Sequence, residues 1–187
     1  VQFDVETAAG ASGGGNGAIE VVHLTTRGLQ YLGEVGNVSS VTNTTVVTIT
    51  GTTLAADDCI VNNDIYFTSG DASGEGGTIT DYNGTTKVVT FTPAITAPSA
   101  TDGYAIGPKV VISGDGQGAN VRCTVNSTGG INATAVISGG NNYSNASITV
   151  ISNASQSNSF NPSPVAVLSP IIGPKGGHGS DAVQELG

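Results

Sequence analysis

The sequence predicts an all-β protein, and three observations carry this prediction. Short runs of Val, Ile and Thr alternate along the chain with clusters of Gly, Asn, Asp and Ser, which is typical of strands joined by turns. Charged residues make up only 10% of the chain, so the Leu/Glu/Lys-rich segments of helical proteins are missing. One stretch occurs twice. We therefore expect a sandwich or barrel-like scaffold.

The repeated stretch reads "GAIEVVHLTTRGLQY" at 17–31 and "GGINATAVISGGNNY" at 129–143. Its anchors lie 112 positions apart in every case: Ile19 with Ile131, Gly28 with Gly140, and Tyr31 with Tyr143. Each copy predicts a strand, a turn in which glycine takes a positive φ, and a tyrosine ring folded back over the strand.

The first copy is separated from its partner strand. After the second copy, a Ser/Asn stretch leads directly to a strand at 146–152, whereas the first copy meets its counterpart only at 109–125. Positions 33–108 are therefore predicted to be an inserted small β domain. Positions 1–32 and 109–187 then form one discontinuous scaffold of split strand–Gly–Tyr repeats, since insertion at a surface loop is tolerated.

The insert has its own strand pattern. Segments 44–51 and 64–70 read as strands that end in glycine, and 102–108 returns the chain. Segment 76–93 is the clearest hairpin, with Asn83–Gly84 predicted as the two central residues of its turn, both at positive φ. We expect four or five strands, and one helical turn near 54–59.

A glycine-rich stretch near the end of the chain, "KGGHGSDAV", matches a calcium-binding nonapeptide when it is read from Gly176. The residues of this motif are Gly176, Gly177, His178, Gly179, Ser180 and Asp181. Calcium in such a β-roll lies between consecutive turns, and no second copy adjoins this one. The favoured interpretation is a loop whose Asp181 caps a short helix, with no cofactor and no metal.

Other candidate sites give no catalytic constellation. "GDGQGA" at 114–119 resembles a nucleotide loop only superficially, because a strand pattern follows it, and we predict a β-hairpin turn there. The His, Ser and Asp of the glycine-rich stretch are too close in sequence to converge as a triad. The pair Asp57–Asp58 is read as a solvated turn, with a weak surface cation as the alternative. The chain is predicted not to be an enzyme.

Charge and cysteine content exclude further classes. Fourteen acidic residues against five basic give a net charge of −9, which is unfavourable for binding nucleic acid or an anionic membrane. The apolar runs are too short to span a membrane. Cys59 and Cys123 are predicted to be two buried thiols, with a disulfide as the alternative.

The ending "SPIIGPKGGHGSDAVQELG" at 169–187, together with the repeats and "VVISGDGQGA", resembles a baseplate wedge subunit of T4-like contractile-tailed phages, particularly those of cyanobacteria. The resemblance covers 1–32 and 109–187 and implies an internal portion of a longer protein. The insert, through "ITDYNGTTKVVTFTPAI", resembles a small β module that is common in phage structural proteins.

This resemblance implies an architectural function. Wedge subunits are made in the host cytoplasm, which keeps cysteines reduced, and they join other baseplate wedge proteins, with a homodimer possible, to form the tail baseplate of the virion. The alternative is a carbohydrate-binding or adhesive surface module of a phage or bacterium. Its sugar-stacking residues would be Tyr66, Tyr82 and Tyr104.

Overall fold

The computed structural model describes residues 17–51, 53–151 and 164–173. Within these ranges all regular secondary structure is β and no helix is present, so the predicted all-β class is confirmed. The twelve strands are β1 (Ile19–Thr26), β2 (Glu34–Asn43), β3 (Val46–Ile49), β4 (Asp64–Phe67), β5 (Gly76–Asn83), β6 (Val88–Thr92), β7 (Gly103–Gly107), β8 (Lys109–Gly114), β9 (Gln117–Val125), β10 (Ile131–Asn141), β11 (Ala146–Ile151) and β12 (Val167–Ile172).

Six consecutive strands form a closed barrel in the order β2-β3-β6-β5-β4-β7. Neighbouring strands within it are antiparallel. The chain enters and leaves the barrel at the same place, because Glu34 on the first strand pairs with Ile106 on the last. Such adjacent ends allow a module to lie within a loop of another domain.

The barrel interior is filled by alternate residues of its strands, as expected for a small closed barrel. The rings of Phe67 and Phe91 lie 5.8 Å apart between centroids, at a tilt of 53°. Other buried apolar side chains complete this core: Val38, Val47, Ile49, Leu54, Ile60, Ile65, Ala72, Ile79, Tyr82, Val89, Tyr104 and Ile106.

The predicted β5–β6 hairpin is present, but the turn prediction was wrong. Asn83 pairs with Val88 across a four-residue loop, and the positive φ of 61° belongs to Lys87. The Asn83 side-chain oxygen accepts the backbone N–H groups of Thr85 (3.0 Å) and Thr86 (2.7 Å). This side-chain cap satisfies the loop amides, so the tighter two-residue turn is not needed.

The helical turn expected near 54–59 is also absent. Asp58 takes a φ of 56°, which interrupts a right-handed helix, and its N–H donates to the Tyr82 carbonyl at 2.8 Å. The side chains of the acidic pair bind the hairpin: Asp57 accepts from Gly84 N–H (2.7 Å) and Asp58 from Tyr82 N–H (3.2 Å). The pair therefore fastens this loop to the barrel.

The remaining strands form a four-stranded sheet, in the order β1-β12-β11-β8, and a two-stranded sheet of β10 and β9. These two sheets, which we call the scaffold, share one core separate from that of the barrel. The turn at "GDGQGA" joins β8 to β9, and the strand predicted to follow it is present as β9. It is not a hairpin turn, because β8 pairs with β11 and β9 pairs with β10.

Candidate functional site

The two repeat copies exchange backbone hydrogen bonds reciprocally. The Tyr31 N–H donates to the Gly129 carbonyl at 2.9 Å, and the Tyr143 N–H donates to the Gly17 carbonyl, also at 2.9 Å. Each tyrosine is thus fixed by the first glycine of the other copy. Because the exchange is mutual, the copies are related by an approximate twofold axis.

The repeat glycines have the same conformation, although Gly28 follows β1 whereas Gly140 lies within β10 and not in the predicted turn. Gly28 has a φ of 63° and Gly140 a φ of 64°. A side chain on Gly28 would strike the backbone at Pro164 and Ala166, just before β12, and one on Gly140 would strike the backbone of β9 between Gln117 and Ala119. Only glycine satisfies both the positive φ and this close approach.

The remaining anchors lie in one shared core. Ile19 and Ile131 are fully buried, and Tyr31 and Tyr143 are each 4% exposed. The hydroxyl oxygen of Tyr31 accepts the Ala166 N–H at 3.0 Å. Burial raises the pKa of Tyr31, so its ring is neutral across the physiological range. All six anchors are therefore structural.

Strand pairing locks the copies together. The first copy supplies β1, β8 and β9, and the second supplies β10, β11 and β12. However, β1 pairs with β12 and β10 pairs with β9, so the leading strand of each copy completes the sheet of the other. We infer that the scaffold folds as one unit, since neither copy closes its sheet alone.

The barrel docks on β9 of the scaffold. The Tyr66 hydroxyl donates to the Asn120 side-chain oxygen at 3.2 Å, and the Arg122 guanidinium lies 5.9 Å from the centre of the same ring. Gly107 packs so closely on the Cys123 backbone that a side chain there would collide with its carbonyl. These contacts fix the junction between the two modules.

A buried carboxylate lies at the same junction. Lys109 donates to the Thr78 hydroxyl oxygen at 3.2 Å, and that hydroxyl donates to Asp64 at 2.8 Å. Burial raises the pKa of Asp64. The relay connects β8, the scaffold strand that follows the barrel, to the barrel wall, which gives it a positioning role between the modules.

The cysteines are not joined by a disulfide. Cys123 is buried as predicted, and burial raises its pKa to about 12. Cys59 is only partly buried, and its pKa is also raised by desolvation. A thiol with a raised pKa is a poor nucleophile at neutral pH, so neither cysteine is activated for chemistry.

The tyrosines considered as a sugar platform are all buried. Tyr66, Tyr82 and Tyr104 are 6%, 1% and 1% exposed. The Tyr104 hydroxyl donates to Glu34 at 2.8 Å and the Tyr82 hydroxyl donates to the Leu54 carbonyl at 2.7 Å. Their rings belong to the barrel core and to the module junction, where they present no face to a carbohydrate.

A cleft of about 510 Å³ runs between the modules. It is lined by 30–34, which lead into β2, by Thr53 and Leu54 of the barrel, and by 125–129 at the end of β9. The Glu34 carboxylate at its wall already accepts the Thr53 hydroxyl at 2.7 Å as well as Tyr104. Glu34 is the one charged residue among the described residues that line the cleft, and its carboxylate is already hydrogen-bonded.

The outer face of the four-stranded sheet exposes apolar side chains that were not predicted from the sequence. Val167 and Ile171 on β12 are 48% and 43% exposed, and Ile151 on β11 is 42% exposed. Val165, just before β12, is 55% exposed. Neither β11 nor β12 carries a charged residue. We call Ile151, Val165, Val167 and Ile171 the β11–β12 face.

The glycine-rich motif at Gly176–Asp181 lies outside the described residues. Across 17–51, 53–151 and 164–173, no group of three or more His, Cys, Asp or Glu side chains is placed to hold a metal ion. The same ranges contain no helix that is long and apolar enough to cross a membrane.

Comparison of the chain with protein-family models, with curated proteins and with solved structures finds no match in any of the three.

Proposed function

We propose that the chain is a structural component of a phage tail baseplate wedge, which acts through assembly with other wedge proteins in the virion. The proposal joins the sequence resemblance to one structural observation, the exposed and uncharged β11–β12 face. The role is architectural, without catalysis, nucleic acid or membrane, and assembly takes place in the host cytoplasm.

The β11–β12 face supports this proposal because of its composition. Protein interfaces have apolar centres depleted of charge, and a contiguous apolar patch on a soluble protein marks an interaction site. Burying Thr, Ser and Val side chains avoids the desolvation cost of charged groups. In a chain with a net charge of −9, two adjacent strands without any charge are suited to such contact.

The barrel constrains how assembly proceeds. Its six strands close on themselves, so it offers no free edge strand for β-augmentation. Assembly through edge strands is therefore not proposed for the barrel. The proposed contacts use sheet faces.

The test is co-sedimentation of the full chain with purified baseplate wedge proteins of a contractile phage of cyanobacteria. We expect the chain to sediment with at least one neighbour, and Val167→Asp to weaken that association by about tenfold or more, since a buried interface charge without a partner costs at least about 1.4 kcal/mol. The matched control is Val35→Asp, which alters a valine that is 66% exposed on the barrel.

Two results would contradict the proposal: no association with any wedge protein, or equal association of wild type and Val167→Asp. Binding to a glycan array in place of wedge proteins would favour the carbohydrate-binding alternative.

A further inference from the structure

The β5–β6 loop contains the dipeptide Asn83–Gly84, whose chemistry goes beyond assembly. In an Asn–Gly pair the glycine nitrogen can attack the side-chain carbonyl carbon of the asparagine and form a five-membered imide. Glycine favours this reaction because it has no side chain to hinder the approach and has wide backbone freedom. The structure describes both reacting groups, the Asn83 side chain and the Gly84 nitrogen.

The barrel holds both groups in other interactions. The Asn83 side-chain oxygen is pinned by the N–H groups of Thr85 and Thr86, at 3.0 and 2.7 Å. The Gly84 N–H donates to Asp57 at 2.7 Å. A carboxylate acceptor stabilises the protonated amide and so disfavours loss of the proton that the attack requires.

Packing adds a second restraint. Gly84 is buried, and its α-carbon lies so close to Ala55 that any side chain there would collide with the Ala55 carbonyl. Asn83 is also the last residue of β5, paired with Val88, so its backbone is held by the ladder. The rotation that cyclisation needs would disturb this pairing.

We propose that Asn83 is a latent deamidation site that the folded barrel keeps unreactive, and that Asp57 is the residue that restrains it. When the hairpin opens, the Gly84 nitrogen bonds to the Asn83 side-chain carbon, the carbon–Nδ2 bond breaks, and the nitrogen proton leaves with Nδ2 as ammonia. Water then opens the imide at either carbonyl, which yields aspartate or isoaspartate.

The product would not fit the loop as asparagine does. Aspartate adds a negative charge close to Asp57 and Asp58, and isoaspartate lengthens the backbone by one methylene within the capped turn. Like charges at short range destabilise one another. Deamidation after the barrel opens would therefore change the hairpin irreversibly.

The experiment incubates the full chain at mildly alkaline pH and follows position 83 by mass spectrometry that separates asparagine, aspartate and isoaspartate. Four samples are compared: folded wild type, wild type in concentrated urea, folded Asp57→Ala and folded Asp81→Ala. Asp81 is exposed on β5, so Asp81→Ala removes the same charge without removing the Gly84 contact. In urea, Asn16–Gly17 serves as an internal reference.

We expect conversion in folded wild type to be at least about tenfold slower than in urea, and Asp57→Ala to accelerate it by about tenfold, as for the loss of one charged hydrogen bond. Asp81→Ala should match wild type. Equal rates in folded and urea-treated wild type would overturn the proposal. So would equal rates for Asp57→Ala and wild type.

Loss of folding in Asp57→Ala is recognised by circular dichroism, and hydrogen exchange of wild type then decides the role of Asp57. The Gly84 amide should exchange at least about tenfold more slowly than in an unfolded chain, since it donates to a carboxylate. Exchange at the unfolded rate would show that Asp57 does not restrain the amide, and would refute its role.

Discussion

The barrel and the scaffold are both β structures, but they bury their cores in different ways. Of the twelve largest fully buried side chains in the described part of the chain, ten belong to the barrel, and the two in the scaffold are the equivalent residues Ile19 and Ile131. The barrel closes on itself around a dense core, whereas the scaffold closes by exchanging strands between two repeats. The barrel is stabilised by the packing of its core. The scaffold is stabilised by packing and also by the pairing of strands between its two repeats.

Charge divides the molecule along the same boundary. Eight of the fourteen acidic residues, but only one of the five basic residues, lie within positions 33–108. The barrel is therefore strongly acidic, which favours solubility and disfavours close approach of another acidic surface. The nearly neutral scaffold carries the apolar β11–β12 face. The barrel thus provides the charged, solvated surface, and the scaffold provides the surface for contact.

The largest expected effect is in the barrel core. Phe91→Ala should destabilise the barrel by about 3–5 kcal/mol, because it leaves a cavity in contact with Phe67. Hydrogen exchange resolved by residue would measure the loss of protection in β2 to β7. Since the scaffold has a separate core, we expect the protection of β9 to β12 to fall much less.

Val35→Ala is the control for this substitution, since its side chain is 66% exposed and should change stability little. Equal loss of protection across both modules in Phe91→Ala would show that barrel and scaffold unfold as one unit, and would contradict the independence of their two cores.

The next effect tests the repeat. Ile19→Ala and Ile131→Ala should each destabilise the scaffold by about 2–5 kcal/mol, and the two values should agree within about 1 kcal/mol because the environments are equivalent. Urea denaturation followed by circular dichroism measures both. A large cost for one and a negligible cost for the other would contradict the twofold relation.

The sequence revealed this equivalence because both copies keep their glycine and tyrosine at the same spacing. It did not reveal the exchange of strands, since an alternating pattern indicates which face of a strand is buried but not which strand lies beside it. β12 was missed for a local reason: Pro170 argues against a central strand. The sheet accommodates Pro170 because β11 and β12 are paired only at Ile148 and Leu168.

The turn at Asn83 shows a second limit. Its loop depends on Asp57 and on the close approach to Ala55, both distant in sequence, and an Asn–Gly pair contains no information about either. The β11–β12 face was missed because exposure depends on how the sheets stack. Strand positions and the spacing of the repeat anchors were therefore predictable, whereas turns and faces that depend on distant segments were not.

A smaller effect compares one hydroxyl in each module. Tyr31→Phe removes the acceptor of the buried Ala166 N–H and should cost about 1–3 kcal/mol. Tyr82→Phe should cost less, because the Leu54 carbonyl that it binds also accepts a hydrogen bond from Lys87 at 2.6 Å. Thermal denaturation of the two variants gives the difference, and a greater cost for Tyr82→Phe would reverse our interpretation.

The smallest effects are those of pH, and they have opposite signs in two carboxylates. The Ser144 hydroxyl, then the N–H groups of Asn145 and Ser144, hold the pKa of exposed Asp115 far below its usual range. Since the folded pKa lies below the unfolded value of about 3.9, Asp115 stabilises the fold above that pH and loses this contribution as the pH falls. Asp115→Asn should flatten the acid side of the stability profile.

Asp64 behaves in the opposite way because burial raises its pKa. The folded state then binds the proton more tightly than the unfolded state, so ionised Asp64 costs stability at neutral pH, and the cost disappears below about pH 3.9. Asp64→Asn keeps an acceptor for Thr78 and should leave the melting temperature unchanged or raised at pH 7, with no gain at pH 3. Melting curves of both variants across this range test the pair. A lower melting temperature for Asp64→Asn at pH 7 would mean that the attraction of Lys109 outweighs desolvation, and the junction between barrel and scaffold would then be held by charge.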